Sequence, residues 1–140
     1  MGQSTKTPEA IMRHKLALTT PILAAVMLLA IAVPAFAAVN WQITLKHTAA
    51  FPRATGHAQY QSQPGQRELQ IEAEHLRALA GKRVLFYAKG SKLGSAVVTS
   101  RGIAQIDRNT ELGQTVPKIV HGSHVSVRTA AGAVILRGTF

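Results

Sequence analysis

Apolar and polar side chains alternate residue by residue through Arg67-Glu68-Leu69-Gln70-Ile71-Glu72-Ala73-Glu74-His75, which puts Leu69, Ile71 and Ala73 on one face and Glu68, Gln70, Glu72 and Glu74 on the other. A period of two is that of a half-buried strand. The stretch is also rich in good helix formers, and a helix running on through Leu76-Arg77-Ala78-Leu79 competes. The alternation favours a strand to about His75, then a short helical turn or loop ending at Gly81. Seven further strands are predicted at Gln42 to His47, Thr55 to Gln61, Arg83 to Lys89, Gly94 to Thr99, Ile103 to Asp107, His124 to Thr129 and Ala133 to Thr139. Short strands at this spacing, with turn residues between them, suggest a sandwich or a barrel. Lys89-Gly90-Ser91-Lys92, Arg101-Gly102 and Ala130-Ala131-Gly132 read as hairpin turns, with glycine supplying positive φ. The longest connection, Asn109 to Gly122, contains Pro117 and suits the crossover of a Greek key. Val84-Leu85-Phe86-Tyr87 and Val134-Ile135-Leu136 are continuous apolar runs, as expected where a strand is covered on both sides or turns a sheet corner. These signals favour an all-β domain: a small antiparallel β-sandwich, immunoglobulin-like or Greek-key, of about seven to eight strands.

The front of the chain has a different pattern. Lys6, Arg13, His14 and Lys15 precede an apolar run from Leu16 to Val33, broken only by Thr19, Thr20 and Pro21, and Pro34-Ala35-Phe36-Ala37 follows. A basic stretch, an apolar helix and a small-x-small ending make a secretory signal peptide. Residues 1–37 are therefore expected to form a signal helix that is cleaved between Ala37 and Ala38. Met12 is an alternative start, since Met12 to Ala37 alone is a signal of ordinary length. A rival reading keeps the helix as an uncleaved anchor, because Leu16 to Ala38 approaches the roughly 20 residues that span a bilayer. The chain has no cysteine, which excludes a lipid-modified lipoprotein, and Arg13-His14 is not a twin-arginine pair, so the general secretion route is expected.

Residues 38–140 are enough for one domain with a thin core. Exported domains of this size often use disulfides, and without cysteine this one must rely on packing and strand pairing. Of the 16 Lys and Arg in the chain 13 lie after residue 37, as do 5 of the 6 acids, leaving that domain strongly basic. Such a charge attracts polyanions. Nucleic acid is disfavoured for a chain that leaves the cytosol, so the expected partners are an anionic envelope polymer, lipid headgroups or an envelope protein. Arg83, Lys89, Lys92, Arg101, Arg128 and Arg137 are the candidate contacts. The competing reading is that the charge only keeps a small exported domain soluble.

From Gly56 onward, the order of Arg67 to Glu74, Gly81 before Val84, Lys92-Leu93-Gly94, Leu112-Gly113-Gln114-Thr115-Val116-Pro117, Gly122 before Val125-Ser126-Val127, and Leu136-Arg137-Gly138-Thr139-Phe140 resembles small exported bacterial proteins of unknown function that carry an immunoglobulin-like or related β-sandwich. The resemblance implies a fold and brings no activity.

Chemistry-bearing patterns are sparse. His121-Gly122-Ser123-His124 brings two imidazoles close enough in sequence to share zinc or copper if the loop curls, but no Cys, Asp or Glu nearby completes a shell. Glu68, Glu72 and Glu74 on one strand face could hold calcium or act as paired acid and base. Pairing with a neighbouring strand that carries Arg83 or Lys89 is the simpler expectation. Asp107 is the only aspartate and no Gly-x-Ser-x-Gly elbow occurs, so an enzyme is not expected, nor is a cofactor. The terminal Phe140, with Leu136 and Val134, fits the closing strand of an outer-membrane barrel, whereas strands of five to eight residues are too short for one. The sequence thus predicts a non-catalytic secreted or envelope-associated binding domain. The alternatives are a histidine-dependent metal binder and a membrane-anchored surface module.

Overall fold

The structure is a computed structural model that describes residues 37–140; the expected signal helix, apart from Ala37, lies outside the described residues. Eight strands make up the domain: β1 (Val39–His47), β2 (Thr55–Gln63), β3 (Gln66–Glu74), β4 (Arg83–Ala88), β5 (Ser91–Val97), β6 (Ala104–Asn109), β7 (His124–Thr129) and β8 (Val134–Thr139). The alternating stretch is a strand rather than a helix. It ends at Glu74, and only a single 3-10 turn, Arg77–Leu79, follows.

All strand pairs are antiparallel, and the order is β5-β4-β7-β8-β1-β2-β3-β6. This is one nearly closed, barrel-like sheet, where the sequence reading expected two packed sheets. The joint that makes it one sheet is β1, which pairs with β2 from Val39 to Leu45 and then with β8 through Lys46 and His47. Gly138 makes the joint sterically feasible: a Cβ there would lie 2.8 Å from Leu45 Cδ2 and 3.1 Å from Ile43 Cδ1. The long connection does cross over: the chain leaves β6 beside β3 and enters β7 between β4 and β8.

The edges β5 and β6 face each other without pairing. Arg101-Gly102 is therefore a turn between two edges, not the hairpin the sequence suggested; it is closed by Gly102 N–H donating to the Thr99 carbonyl at 2.9 Å. Arg108 bridges the seam by donating from its guanidinium to the Leu93 carbonyl of β5. By contrast, Lys89-Gly90 is a true two-residue hairpin loop, with φ of 51° and 77°, the backbone of the turn that matches strand twist.

The inward positions fill the interior: Leu45, Ala58, Tyr60, Leu69, Ile71, Val84, Phe86, Ile106, Val125, Val127, Ile135 and Leu136 form one core. Val116 and Ile119 of the long crossover join it, which anchors that connection. An eight-stranded barrel leaves about enough room for side chains alone. The two apolar runs have different explanations. In β4, Val84, Phe86 and Ala88 are buried while Leu85 and Tyr87 are half-buried on the outer face. In β8, a bulge opposite Val127 and Arg128 turns both Ile135 and Leu136 inward, because the extra residue shifts the alternation by one.

Outward positions of β2 and β3 are polar. Thr55, His57, Gln59 and Gln61 alternate with the buried residues of β2, and Glu68, Gln70, Glu72 and Glu74 with those of β3. Apolar inside and polar outside is the inverse of a lipid-facing barrel. Phe140 instead closes the domain: its N–H donates to the Ser123 carbonyl at 3.0 Å and its carbonyl accepts from Gly122 N–H at 2.7 Å.

Candidate anion-binding groove

The register of four adjacent strands builds a single outward row. Tyr87 of β4 is opposite Ser126 of β7, Ser126 is opposite Arg137 of β8, and Arg137 is opposite Lys46 of β1. Each falls on the outer face by the alternation of its own strand, because Phe86, Val127, Leu136 and Leu45 beside them point into the core. Arg128 lies on the same face of β7. Its guanidinium carbon sits 4.4 Å from the centre of the Tyr87 ring, and its Nε–H donates to the Ser126 hydroxyl at 3.1 Å. Held by a cation–π contact and one hydrogen bond, the guanidinium keeps its terminal N–H groups for another acceptor.

Because β1 pairs with β8 over only two residues, a groove of about 700 Å³ opens along their junction. Lys46, Arg128, Arg137 and His124 line it together with the hydroxyls of Thr44, Ser126 and Thr139. No carboxylate lines it. Lys46 and Arg137 are direct cross-strand neighbours, and like charges in that relation are destabilising.

The acids lie elsewhere. Glu68, Glu72 and Glu74 are on β3, Asp107 on β6 and Glu111 in the 3-10 turn Thr110–Leu112 that follows. The expected pairing of the β3 glutamates with Arg83 or Lys89 does not occur: the neighbours of β3 are β2 and β6, so Glu68 faces Gln61 and Asn109, and Glu72 faces His57 and Gln105. Glu72 shares a hydrogen bond with Glu74, and this together with burial and the neighbouring Glu74 charge raises its pKa above the usual carboxylate range, against the opposing pull of His57.

Four of the six candidate contacts are on this outer face: Arg83, Lys92 opposite Tyr87, Arg128 and Arg137. Arg83 is engaged with the Ser95 hydroxyl at 2.8 Å. Lys89 sits in the β4–β5 turn and donates to the Lys118 carbonyl at 3.1 Å. Lys92 is exposed on β5 and Arg101 in the β5–β6 connection, outside the groove. Sequence reasoning missed Lys46, although its place beside Leu45 in the alternation of β1 marked it as outward.

The two histidines have separate neighbours. The His121 ring stacks on Trp41 at 4.6 Å between centroids, and His124 Nδ1 lies 3.0 Å from the Thr139 hydroxyl. Among the described residues no group of three or more His, Cys, Asp or Glu is placed to hold a metal ion. Also among the described residues, no helix is long and apolar enough to cross a membrane.

Comparison with known protein families, curated proteins and solved structures returns no match.

Proposed function

We propose that residues 38–140 form a non-catalytic binding domain of an exported protein, which holds an anionic envelope polymer, lipid headgroup or acidic protein surface against the outer face of β7, β8 and β1. The observation that carries this reading is the row Ser126-Arg137-Lys46 with Arg128 beside it: three strands converge cations and hydroxyls on one groove while every acid after residue 37 lies on β3, β6 or the turn after β6. Charge needed only for solubility has no reason to place Arg137 against Lys46.

Export is part of the proposal. β1 begins at Val39, so cleavage between Ala37 and Ala38 would release a domain with almost no tail, and an uncleaved leader would tether it with almost no linker. The fold is read as a flattened Greek-key barrel related to sandwiches, since β1, β2, β3 and β6 make one layer and β4, β5, β7 and β8 the other. That division is supported by the two-residue joint at β1–β8 and the unpaired seam at β5–β6.

The test is retention on anionic vesicles and on a polyanion resin at rising salt, with the parent protein compared with Arg128→Gln/Arg137→Gln. Screening shortens the reach of exposed charges to about 10 Å at 0.1 M salt. Retention should fall steeply with salt and be weakened in the double variant. Retention that is insensitive to both would refute the proposal.

A further inference from the structure

We propose that the end of the barrel opposite the Trp41 cluster carries a second binding site, for a single-chain amphiphile with an anionic head, such as a medium-chain carboxylate. The β1–β2 connection and the segment between β3 and β4 meet there around a cavity of about 520 Å³. That volume is within the range of small-molecule sites, which occur in the mouths of β-barrels.

Its floor and walls are apolar. Leu76 is buried, while Phe51 and Leu79 are half-buried and pack against the core from the two sides of the opening. Its rim carries two fixed positive charges, Arg53 from the first connection and Arg77 from the second, with His75 nearby. No carboxylate lines the cavity. An apolar floor under two arginines matches a ligand with an apolar tail and an anionic head. A neutral oil or a bare inorganic anion would use only half of it.

Both walls are held in place. Phe51 N–H donates to the Thr48 carbonyl at 3.0 Å, and Ala54 N–H to the Phe51 carbonyl at 3.0 Å. On the other wall, Leu76 N–H donates to the Gly102 carbonyl at 2.9 Å. Between them His75 adopts φ of 59°, a conformation that costs a non-glycine residue free energy and recurs at ligand clamps. Its Nδ1 lies 2.7 Å from the Thr55 hydroxyl. This strained turn ends β3 and swings Arg77 and Leu79 toward Phe51 and Arg53.

The site is independent of the groove on β7, β8 and β1. Calorimetric titration of decanoate, below its micellar concentration, into protein recovered from cells expressing the full chain tests it. Saturable one-site binding is expected, weakened about tenfold or more in Arg53→Gln/Arg77→Gln, since each loses a charged hydrogen-bond donor. Leu79→Asn should weaken it as well, and Arg128→Gln/Arg137→Gln should leave it unchanged. Thermal melts check that each variant is folded, and Arg77→Gln alone serves if the double variant is not. Absence of saturable binding would overturn the proposal. So would decanol binding as tightly as decanoate, or affinity unaffected by the arginine substitutions. Loss of binding in Arg128→Gln/Arg137→Gln would instead assign decanoate to the groove.

Discussion

Gly56 of β2 is the position where an added methyl group meets the least forgiving surroundings. A Cβ there would stand 2.5 Å from the Glu72 carbonyl oxygen and 2.8 Å from Leu136 Cδ1. The carbonyl is part of the β2–β3 ladder, in which Gly56 faces Ala73, and Leu136 is fully buried, so neither neighbour can withdraw into solvent. Overpacking of this kind costs about 1–3 kcal/mol, and loosening a ladder hydrogen bond adds about 0.5–1.5 kcal/mol. Restricting the unfolded backbone offsets about 0.5–1 kcal/mol. Gly56→Ala should therefore destabilise the domain by about 2 kcal/mol, which lowers Tm by roughly 8–16 °C for a domain of about 100 residues. Gly94→Ala is the matched control. Its Cβ would approach Ile106 Cδ1 at 2.6 Å and Arg108 Nη2 at 2.7 Å, ends of side chains rather than backbone, so its cost should stay below that of Gly56→Ala and is bounded by the roughly 1–2 kcal/mol of the Arg108 bridge. Urea denaturation of both variants decides the matter. A Gly56→Ala midpoint equal to that of the parent, or a larger loss for Gly94→Ala, would refute the reasoning.

Three further outcomes are expected. Arg108→Met removes the donor that bridges β6 to the Leu93 carbonyl; it should cost about 1–2 kcal/mol and speed amide exchange in β5 and β6 while β2 is unaffected. Glu72→Gln should raise stability at neutral pH by a few tenths of a kcal/mol, the scale of an exposed charge interaction, as seen in melts across pH. The sign follows from its raised pKa: the folded state holds the proton more tightly, so stability falls as pH rises from the ordinary carboxylate value through the raised one, and the advantage of Gln should vanish below that window. Ala37→Arg should block processing at the expected site, because the peptidase pocket accepts only small side chains, and intact mass of the product reads this directly.

Most of the strand pattern was legible because it rests on local rules. His124–Thr129 matches its predicted span, and the other strands differ from theirs by one to three residues at either end. Closure of the sheet was not legible, since it depends on two non-local facts: β1 changes partner at Lys46, and Gly138 lets Ile43 and Leu45 approach β8. The Ile135-Leu136 run was visible, but a bulge that turns two consecutive residues inward reads in sequence like a strand covered on both sides. The candidate groove was half legible. Arg128 and Arg137 stood out by charge, whereas Lys46 and Ser126 matter only through cross-strand register, which sets both against Arg137 although Lys46 lies near the other end of the domain's sequence. The glutamates of β3 were read correctly as one face and given the wrong neighbours, because strand order, unlike alternation, is set by the crossover.

That strand order also explains why the charge distribution bears on function. Had β4 lain beside β3, Arg83 and Lys89 would have neutralised Glu68, Glu72 and Glu74, leaving few uncompensated charges on either face. Instead β6 and β2 flank the acids with Gln61, Gln105, Asn109 and His57, and the cations on the far side are left to face one another, as Lys46 and Arg137 do. Both arrangements cost stability, since like charges repel across a strand pair and along one face. Moving one acid from β3 to the outer face of β8 would relieve both at once. An anion seated in the groove relieves the repulsion between Lys46 and Arg137 only when it is bound. Repulsion relieved by the ligand adds to its affinity, whereas repulsion relieved by an internal carboxylate would compete with it. The absence of any acid on β7, β8 and β1 is the arrangement that favours an external partner.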